Sequence, residues 1–228
     1  MVKLFGMMVL YKKGDGEGQS HILRDAYELS SFGFFQVNTT SVQSVKKDEK
    51  QIFVLYFFSL QRKSVEEFLV FTGKLLSDRT QLGERQSVKE GEYMVHAYAN
   101  SSTSLVGVVF SDHDYQQRVA HNLLTKILDD FAAQVPRSSW PVEAKVNGFG
   151  ELEVMLNKYQ KPEEADPMTK VQNELDETKI ILHNTIAAVL DRGEKLDDLV
   201  FKSEGLSLQS KTFYKTARKT NSCCGSWT

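Results

Sequence analysis

The run Val171-Gln172-Asn173-Glu174-Leu175-Asp176-Glu177-Thr178-Lys179-Ile180-Ile181-Leu182-His183-Asn184-Thr185 opens a patterned segment, Met168 to Thr220, whose spacing governs the reading of the whole chain. Alternating steps of three and four residues visit Met168, Val171, Leu175, Thr178, Leu182, Thr185, Val189, Arg192, Leu196, Leu199, Ser203, Leu206, Ser210, Phe213, Ala217 and Thr220. Ten of these sixteen residues are apolar, and the rest are small and polar except Arg192. Mixed charges such as Glu174, Asp176, Glu177, Lys179, Glu194, Lys195, Asp197 and Asp198 fall between them and solvate the other faces. A period of 3.5 held over about seven heptads predicts a long coiled-coil helix over 168–220, which needs partner helices to cover its seam.

Arg192 interrupts that seam once, near its centre, with Val189 and Leu196 in register on either side. Such a residue is either a heptad fault whose long side chain snorkels outward, or a polar layer that fixes register and partner choice. The second role requires acceptors from partner helices, because a buried guanidinium without them is strongly unfavourable.

Residues Val171 to Lys219, above all Glu174 to Thr185 and Arg192-Gly193-Glu194-Lys195-Leu196-Asp197-Asp198-Leu199, resemble the SNARE motif of an R-SNARE. Within that class the text is most similar to the prenylated, longin-type member that lacks a transmembrane helix. The resemblance implies that Arg192 meets three glutamines from Q-SNARE helices in the zero layer of a four-helix bundle. Val189, Leu196, Leu182, Leu199, Leu206 and Phe213 are then seam layers of the same bundle.

The remainder of the chain fits this frame. Its 228 residues allow one ordinary domain beside the helix, and a net charge of -2 gives no case for nucleic acid. The two cysteines, Cys223 and Cys224, are adjacent, so they form no disulfide framework and suit a reducing compartment. Leu4 to Tyr11 runs into Lys12 and Lys13 without a small-residue cleavage site, which argues against a signal peptide. The longest apolar run, Ile52 to Leu60, is far shorter than the roughly 20 residues that span a bilayer.

The N-terminal part reads as an α+β domain. Strands are predicted at Val2 to Tyr11, Gln19 to Tyr27, Arg85 to Lys89, Glu92 to Ala99 and Ser104 to Phe110, with helices at Ser64 to Arg79 and Tyr115 to Val135. Gly14 to Gly18 has the composition of a hairpin turn and lacks the spacing of a phosphate-binding loop. On the first helix Val70 and Phe71 fall off the apolar face, an arrangement of mere surface or of a docking patch.

This element order, with Ser30-Ser31-Phe32-Gly33-Phe34-Phe35-Gln36 and Arg85-Gln86-Ser87-Val88-Lys89-Glu90-Gly91, resembles the longin domain. The resemblance implies a five-stranded, antiparallel-type sheet packed by helices over 1–136, a linker at 137–167 with a short helix near Glu151 to Tyr159, the SNARE motif at 168–220 and a lipidation tail at 221–228. It further implies that the longin domain folds back on the motif, with Val70 and Phe71 as its docking patch.

Two places depart from the family. Residues 37–61 are an atypical insert, because family text like Phe34-Phe35-Gln36 runs directly into text like Arg62-Lys63-Ser64-Val65. Val37 and Phe57-Phe58-Ser59-Leu60-Gln61 have the form of translated splice-site text, so we read the insert as a retained intron. A transcript amplicon shorter than the genomic one by the insert is the expected result; a single amplicon of full genomic length contradicts it. The other departure is the tail. The family palmitoylates the first cysteine of its pair and prenylates the second in fourth position from the end, whereas Cys224 stands fifth. The expectation is a lipid anchor at Cys223 (palmitoyl) and Cys224 (prenyl), with the prenyl group set in question by that spacing, and with Lys211, Lys215, Arg218 and Lys219 assisting at anionic membranes.

No catalytic constellation is legible: the five histidines show no ligand spacing, and neither a nucleophile elbow nor a P-loop is present. A self-acylating transferase and a longin-type adaptor are the competing classes, and an adaptor has no need of the seam around Arg192. The resemblance therefore implies a non-enzymatic SNARE without cofactor or metal. It implies action in transport between endoplasmic reticulum, Golgi and endosomes, with the protein cytoplasmic and peripheral on the cytosolic face of those membranes and of vesicles.

Overall fold

A computed structural model of the protein describes residues 3–14, 20–30, 47–90, 93–141, 145–161, 179–212 and 214–215, with the side chains of 47–61 excepted. They divide between two compact units, Met1–Glu28 with Thr72–Leu196, and Leu29–Phe71 with Asp197–Thr228.

The first unit is an α+β sheet domain, as expected, but its sheet has six strands in the order β2-β1-β5-β4-β3-β6. β1 (Leu4–Lys12) is an interior strand, next to the edge strand β2, and Leu4, Met7, Met8, Val9 and Leu10 are all buried, so both of its faces are covered. It pairs antiparallel with β2 (Ser20–Tyr27) and with β5 (Leu105–Asp112). β4 (Tyr93–Ala99) joins β5 to β3 (Arg85–Glu90), again antiparallel.

Helix α1 (Lys47–Arg79) gives its residues from Thr72 onward to this unit. There Gly73 lets helix and strand approach so closely that an added Cβ would stand 2.6 Å from Met8 Sδ. Helix α2 (Gln117–Gln134) buries Val119, Leu123, Leu124, Ile127, Leu128 and Phe131, a stripe at helical spacing packed among Met7, Val9, Leu105 and Val109. Burying one such aliphatic or aromatic side chain contributes about 2 kcal/mol, which makes this stripe a main source of stability.

Several expectations need correction. The stretch assigned to a linker adds Trp140, Phe149, Leu152, Met155, Leu156 and Tyr159 to the core, the later ones through α3 (Glu151–Lys158). Prolines and glycines mark its turns, yet its aromatic residues anchor it. Helix α1 begins at Lys47, earlier than expected, so the second part of the insert is helical. Residues 37–46 and the turn residues 15–18 lie outside the described residues.

The largest correction concerns the long helix over 168–220. In its described part the backbone instead forms β6 (Ile180–His183), a 3-10 turn at Ile186–Val189, a helix α4 (Leu196–Lys202) and a further helical turn at 208–212. The physical reason is that an apolar seam without partner helices gains little as an isolated helix, since most helical stability in proteins comes from packing of the apolar face. Of its apolar residues, Ile186, Val200 and Leu206 are buried within its own chain.

Candidate functional site

In the first unit, β6 lies parallel to β3, with Ile180 opposite Arg85, Ile181 opposite Gln86, Leu182 opposite Ser87 and His183 opposite Val88. This parallel strand satisfies backbone groups of β3 that would otherwise form an open sheet edge. The 3-10 turn that follows buries Ile186, whose N–H donates to Glu90 Oε2 at 2.9 Å. Beyond it the chain reverses. Gly193 takes φ +95°, a backbone region glycine enters without a Cβ clash, and Glu194 N–H donates to the carbonyl of Asp191 at 3.0 Å.

Arg192 occupies the tip of this turn and is exposed. Its neighbours carry the contact. The guanidinium of Arg79, at the C-terminus of α1, donates to Asp191 Oδ2 at 2.7 Å and to both carboxylate oxygens of Glu194 at 2.9 and 2.8 Å. Glu194 also accepts from the backbone N–H of Asp191 at 2.9 Å, so the acidic pair is held as a fork around one cation. Two acidic residues, one position before and two positions after the central arginine of the heptad pattern, thus hold a cation of the sheet domain.

The second unit covers another part of the seam. Leu206 and Ser210 are buried, and Val200 of α4 is fully so. Glu67 of α1 accepts from Ser207 N–H at 2.8 Å and from Ser210 Oγ at 2.7 Å, while Ser207 Oγ caps the helical turn at 208–212 by accepting from Ser210 N–H at 3.2 Å. Burial opposes ionisation of Glu67, but these hydrogen bonds and nearby Lys63 outweigh it and hold the carboxyl below its ordinary value. The ring of Tyr214 stacks on Phe68 at 5.5 Å, its hydroxyl donates to Asp197 at 2.9 Å, and Phe68 meets Phe71 edge to face at 6.5 Å.

The sequence-predicted residues are therefore distributed rather than gathered on one stripe. Val189, Leu196 and Leu199 are half-buried, Leu206 is buried, Leu182 is exposed, and Arg192 is exposed in its turn. Val70 and Phe71 are half-buried, and Phe71 belongs to the aromatic group with Phe68 and Tyr214. Phe213, Cys223 and Cys224 lie outside the described residues. Sequence reasoning missed Arg79, Glu67, Tyr214 and the β3 edge. The adjacent β-branched pair Ile180-Ile181 was the available signal for a strand, overshadowed by the longer heptad period.

The sheet domain also buries a polar cluster. Ser87 Oγ lies 2.8 Å from His96 Nδ1 and 2.9 Å from His121 Nε2, while His96 Nε2 lies 3.2 Å from Ser111 Oγ. Ser111 spends its proton on the carbonyl of Asp112 at 2.9 Å, so His96 donates to Ser111, Ser87 donates to His96, and His121 donates to Ser87. Arg85, nearly buried, donates to the carbonyl of His121 at 3.0 Å and lies 3.6 Å over the ring of Tyr98. All four hydroxyl and imidazole groups are buried without exposure to solvent, so the serine–histidine contact is a sealed structural network rather than a nucleophile and base. Among the described residues there is no cluster fit to hold a metal ion and no helix long and apolar enough to cross a membrane.

Comparison with known proteins gives matches over both parts of the chain. Residues 55–153 match the longin family, described as a Regulated-SNARE-like domain, and residues 167–224 match the synaptobrevin family. The chain is 51% identical over 168 residues to the Synaptobrevin homolog ykt6 of Schizosaccharomyces pombe, covering 74% of this chain and 85% of that protein. It is 41% identical over 226 residues to the Synaptobrevin homolog YKT6 of Eremothecium gossypii, covering 98% of each. The Saccharomyces cerevisiae Synaptobrevin homolog YKT6 is 42% identical over 205 residues, 89% of this chain and 90% of the relative.

Proposed function

Since this chain belongs to the synaptobrevin family, as a longin-bearing SNARE of the Ykt6 type that acts in vesicle trafficking with other SNAREs, we propose that Arg192 is the central layer of its four-helix bundle with three Q-SNARE helices. Val189 and Leu196 are then the adjacent layers, and Leu182, Leu199, Leu206 and Phe213 extend the seam on both sides. The bundle is a binding device and not an enzyme: its work is the burial of apolar seams between helices anchored in two membranes. A helix of the length of 168–220 reaches about 80 Å at roughly 1.5 Å per residue, enough to draw those membranes together.

What supports this reading is that the motif is held here in a geometry that a helical bundle excludes. Ile180 to His183 is a strand on β3 here, whereas a bundle requires these residues as a helical turn, and Leu206 is buried here within the chain. Packing of the motif on its own longin domain and packing on partner helices exclude each other, so the longin domain autoinhibits assembly. We assign Val70 and Phe71 to the docking patch of that closed state, and Cys223 and Cys224 to a lipid anchor on the cytosolic face of endoplasmic reticulum, Golgi, vesicle and endosomal membranes.

Arg192→Gln tests the central layer. Because Arg192 is exposed in the folded-back state, the isolated variant should keep the stability of the parent. Its complexes should lose the preference for three-glutamine partner sets, measured as competition between matched partners and partners carrying an arginine in that layer. Unchanged selectivity counts against the role assigned to Arg192.

A further inference from the structure

Asparagine precedes glycine once in the sequence, at Asn147-Gly148. The pair lies in the first unit between two fixed points. On one side Val146 N–H donates to the carbonyl of Leu23 in β2 at 2.8 Å. On the other Phe149 is fully buried and meets Phe131 of α2 edge to face at 5.2 Å. Asn147 and Gly148 are themselves exposed, and a Cβ added at Gly148 would meet nothing within 4 Å. Gly148 takes φ +118°, and among the described residues no group bonds its N–H or the Asn147 side chain.

That arrangement leaves a reaction open. The backbone nitrogen after an asparagine can attack the side-chain carbonyl carbon, and a side chain on the attacking residue hinders the approach. Glycine has none. At Asn100 the fold closes the same route: its Oδ1 accepts from Ser102 N–H at 2.9 Å and from Thr103 N–H at 3.2 Å, and Ser101 follows it rather than glycine.

We propose that Asn147 is a site of spontaneous deamidation whose product loosens the anchorage of α3. The Gly148 nitrogen forms a bond to Asn147 Cγ, the bond from Cγ to the side-chain nitrogen breaks, and the proton of the Gly148 N–H passes through water to the departing ammonia. One water molecule then opens the cyclic imide. Opening at Cγ gives aspartate, and opening at the backbone carbonyl gives isoaspartate, whose main chain is one carbon longer. Both products carry a new negative charge.

The isoaspartate form must fit that extra carbon between Val146 and Phe149, which Leu23 and Phe131 hold in place. The displacement reaches α3, which buries Leu152, Met155 and Leu156. Just beyond it, Gln160 Oε1 accepts from Leu4 N–H at 3.1 Å and Gln160 Nε2 donates to the Leu4 carbonyl at 2.7 Å, so the start of β1 depends on the same anchorage.

The test incubates the full chain in mildly alkaline buffer, folded or in concentrated urea, and follows each asparagine peptide by mass spectrometry. In the folded chain the Asn147 peptide should gain one mass unit at a rate within about tenfold of that in urea, because no unfolding step precedes the reaction. Asn100 should stay unchanged in the folded chain, and enzymatic methylation specific for isoaspartyl residues should label the aged Asn147 peptide. Aged folded protein should melt about 2 to 4 °C below fresh protein. Asn147→Gln, whose larger ring closes far more slowly, should keep its melting temperature through the same incubation. A mass gain at Asn147 confined to urea overturns the site. A gain in the folded chain with unchanged melting, or an equal loss of melting temperature in Asn147→Gln, overturns the effect on α3.

Discussion

Acidification from neutral pH to about pH 5 should remove about 4 kcal/mol from the stability of the sheet domain, before most carboxylates titrate. Burial pushes the His96 imidazole from its ordinary 6.5 down to about 3. It pushes His121 down as well, with His96 and the Arg85 guanidinium adding to the effect. The hydrogen-bond chain explains why neither ring accepts a proton: Ser87 already donates to His96, and His121 Nδ1 has no acceptor to meet a new N–H.

The sign follows from linkage. Both groups have depressed values in the fold, so below 6.5 the unfolded chain takes up protons that the folded chain refuses. Stability is complete above that value and is lost as pH falls toward the folded value, at about 2 kcal/mol for each histidine by pH 5. That is a large share of the 5 to 15 kcal/mol, roughly, that holds an ordinary domain. Urea unfolding at two pH values, followed by circular dichroism, measures it. The double variant His96→Gln with His121→Gln should be less stable at neutral pH and nearly flat across the window. Equal slopes for parent and variant would show that other groups carry the acid sensitivity.

The second large effect is on opening. Phe71→Glu places a carboxylate one helical turn from Glu67, which holds Ser207 and Ser210, and beside the Phe68 ring that Tyr214 stacks upon. Like charges at this spacing repel, and the new charge must be desolvated among aromatic rings. Arg79→Glu acts in the other unit, turning the attraction to Asp191 and Glu194 into repulsion. Asp191 is exposed, so solvent screening limits that change to about 1 to 2 kcal/mol.

Each variant should speed assembly with Q-SNARE helices by about tenfold, and the two together by about a hundredfold if they add. Small-angle scattering should report expansion of both. Added salt should mimic Arg79→Glu in part and should weaken the repulsive part of the Phe71→Glu effect while leaving its desolvation part. Scattering profiles and assembly rates identical to those of the parent would rule out both contacts as restraints on the motif.

The sequence by itself determined the class of the protein. Short, nearly continuous apolar runs in Leu4 to Lys12 and Leu105 to Asp112 specify strands buried on both faces, the stripe from Val119 to Phe131 specifies a helix against them, and the heptad period around Arg192 specifies a segment made to be covered by others. These are local signals, an apolar run or a helical period, and both are properties of neighbouring residues in the chain. The serine–histidine chain was not legible, because Ser87, His96, Ser111 and His121 meet only after three strands and a helix are stacked. Arg79 was equally silent, being 112 residues from Asp191.

What tertiary structure alone decided is the present conformation of the motif. Ile180-Ile181-Leu182 has a spacing compatible with a helix and a composition compatible with a strand, so local preference leaves both open. The outcome depends on which surface is at hand. With no partner helix, the unpaired edge of β3, the cation of Arg79 and the Glu67 carboxylate offer the segment hydrogen bonds, charge and apolar cover within its own chain, and these contacts set the geometry that the sequence period alone could not.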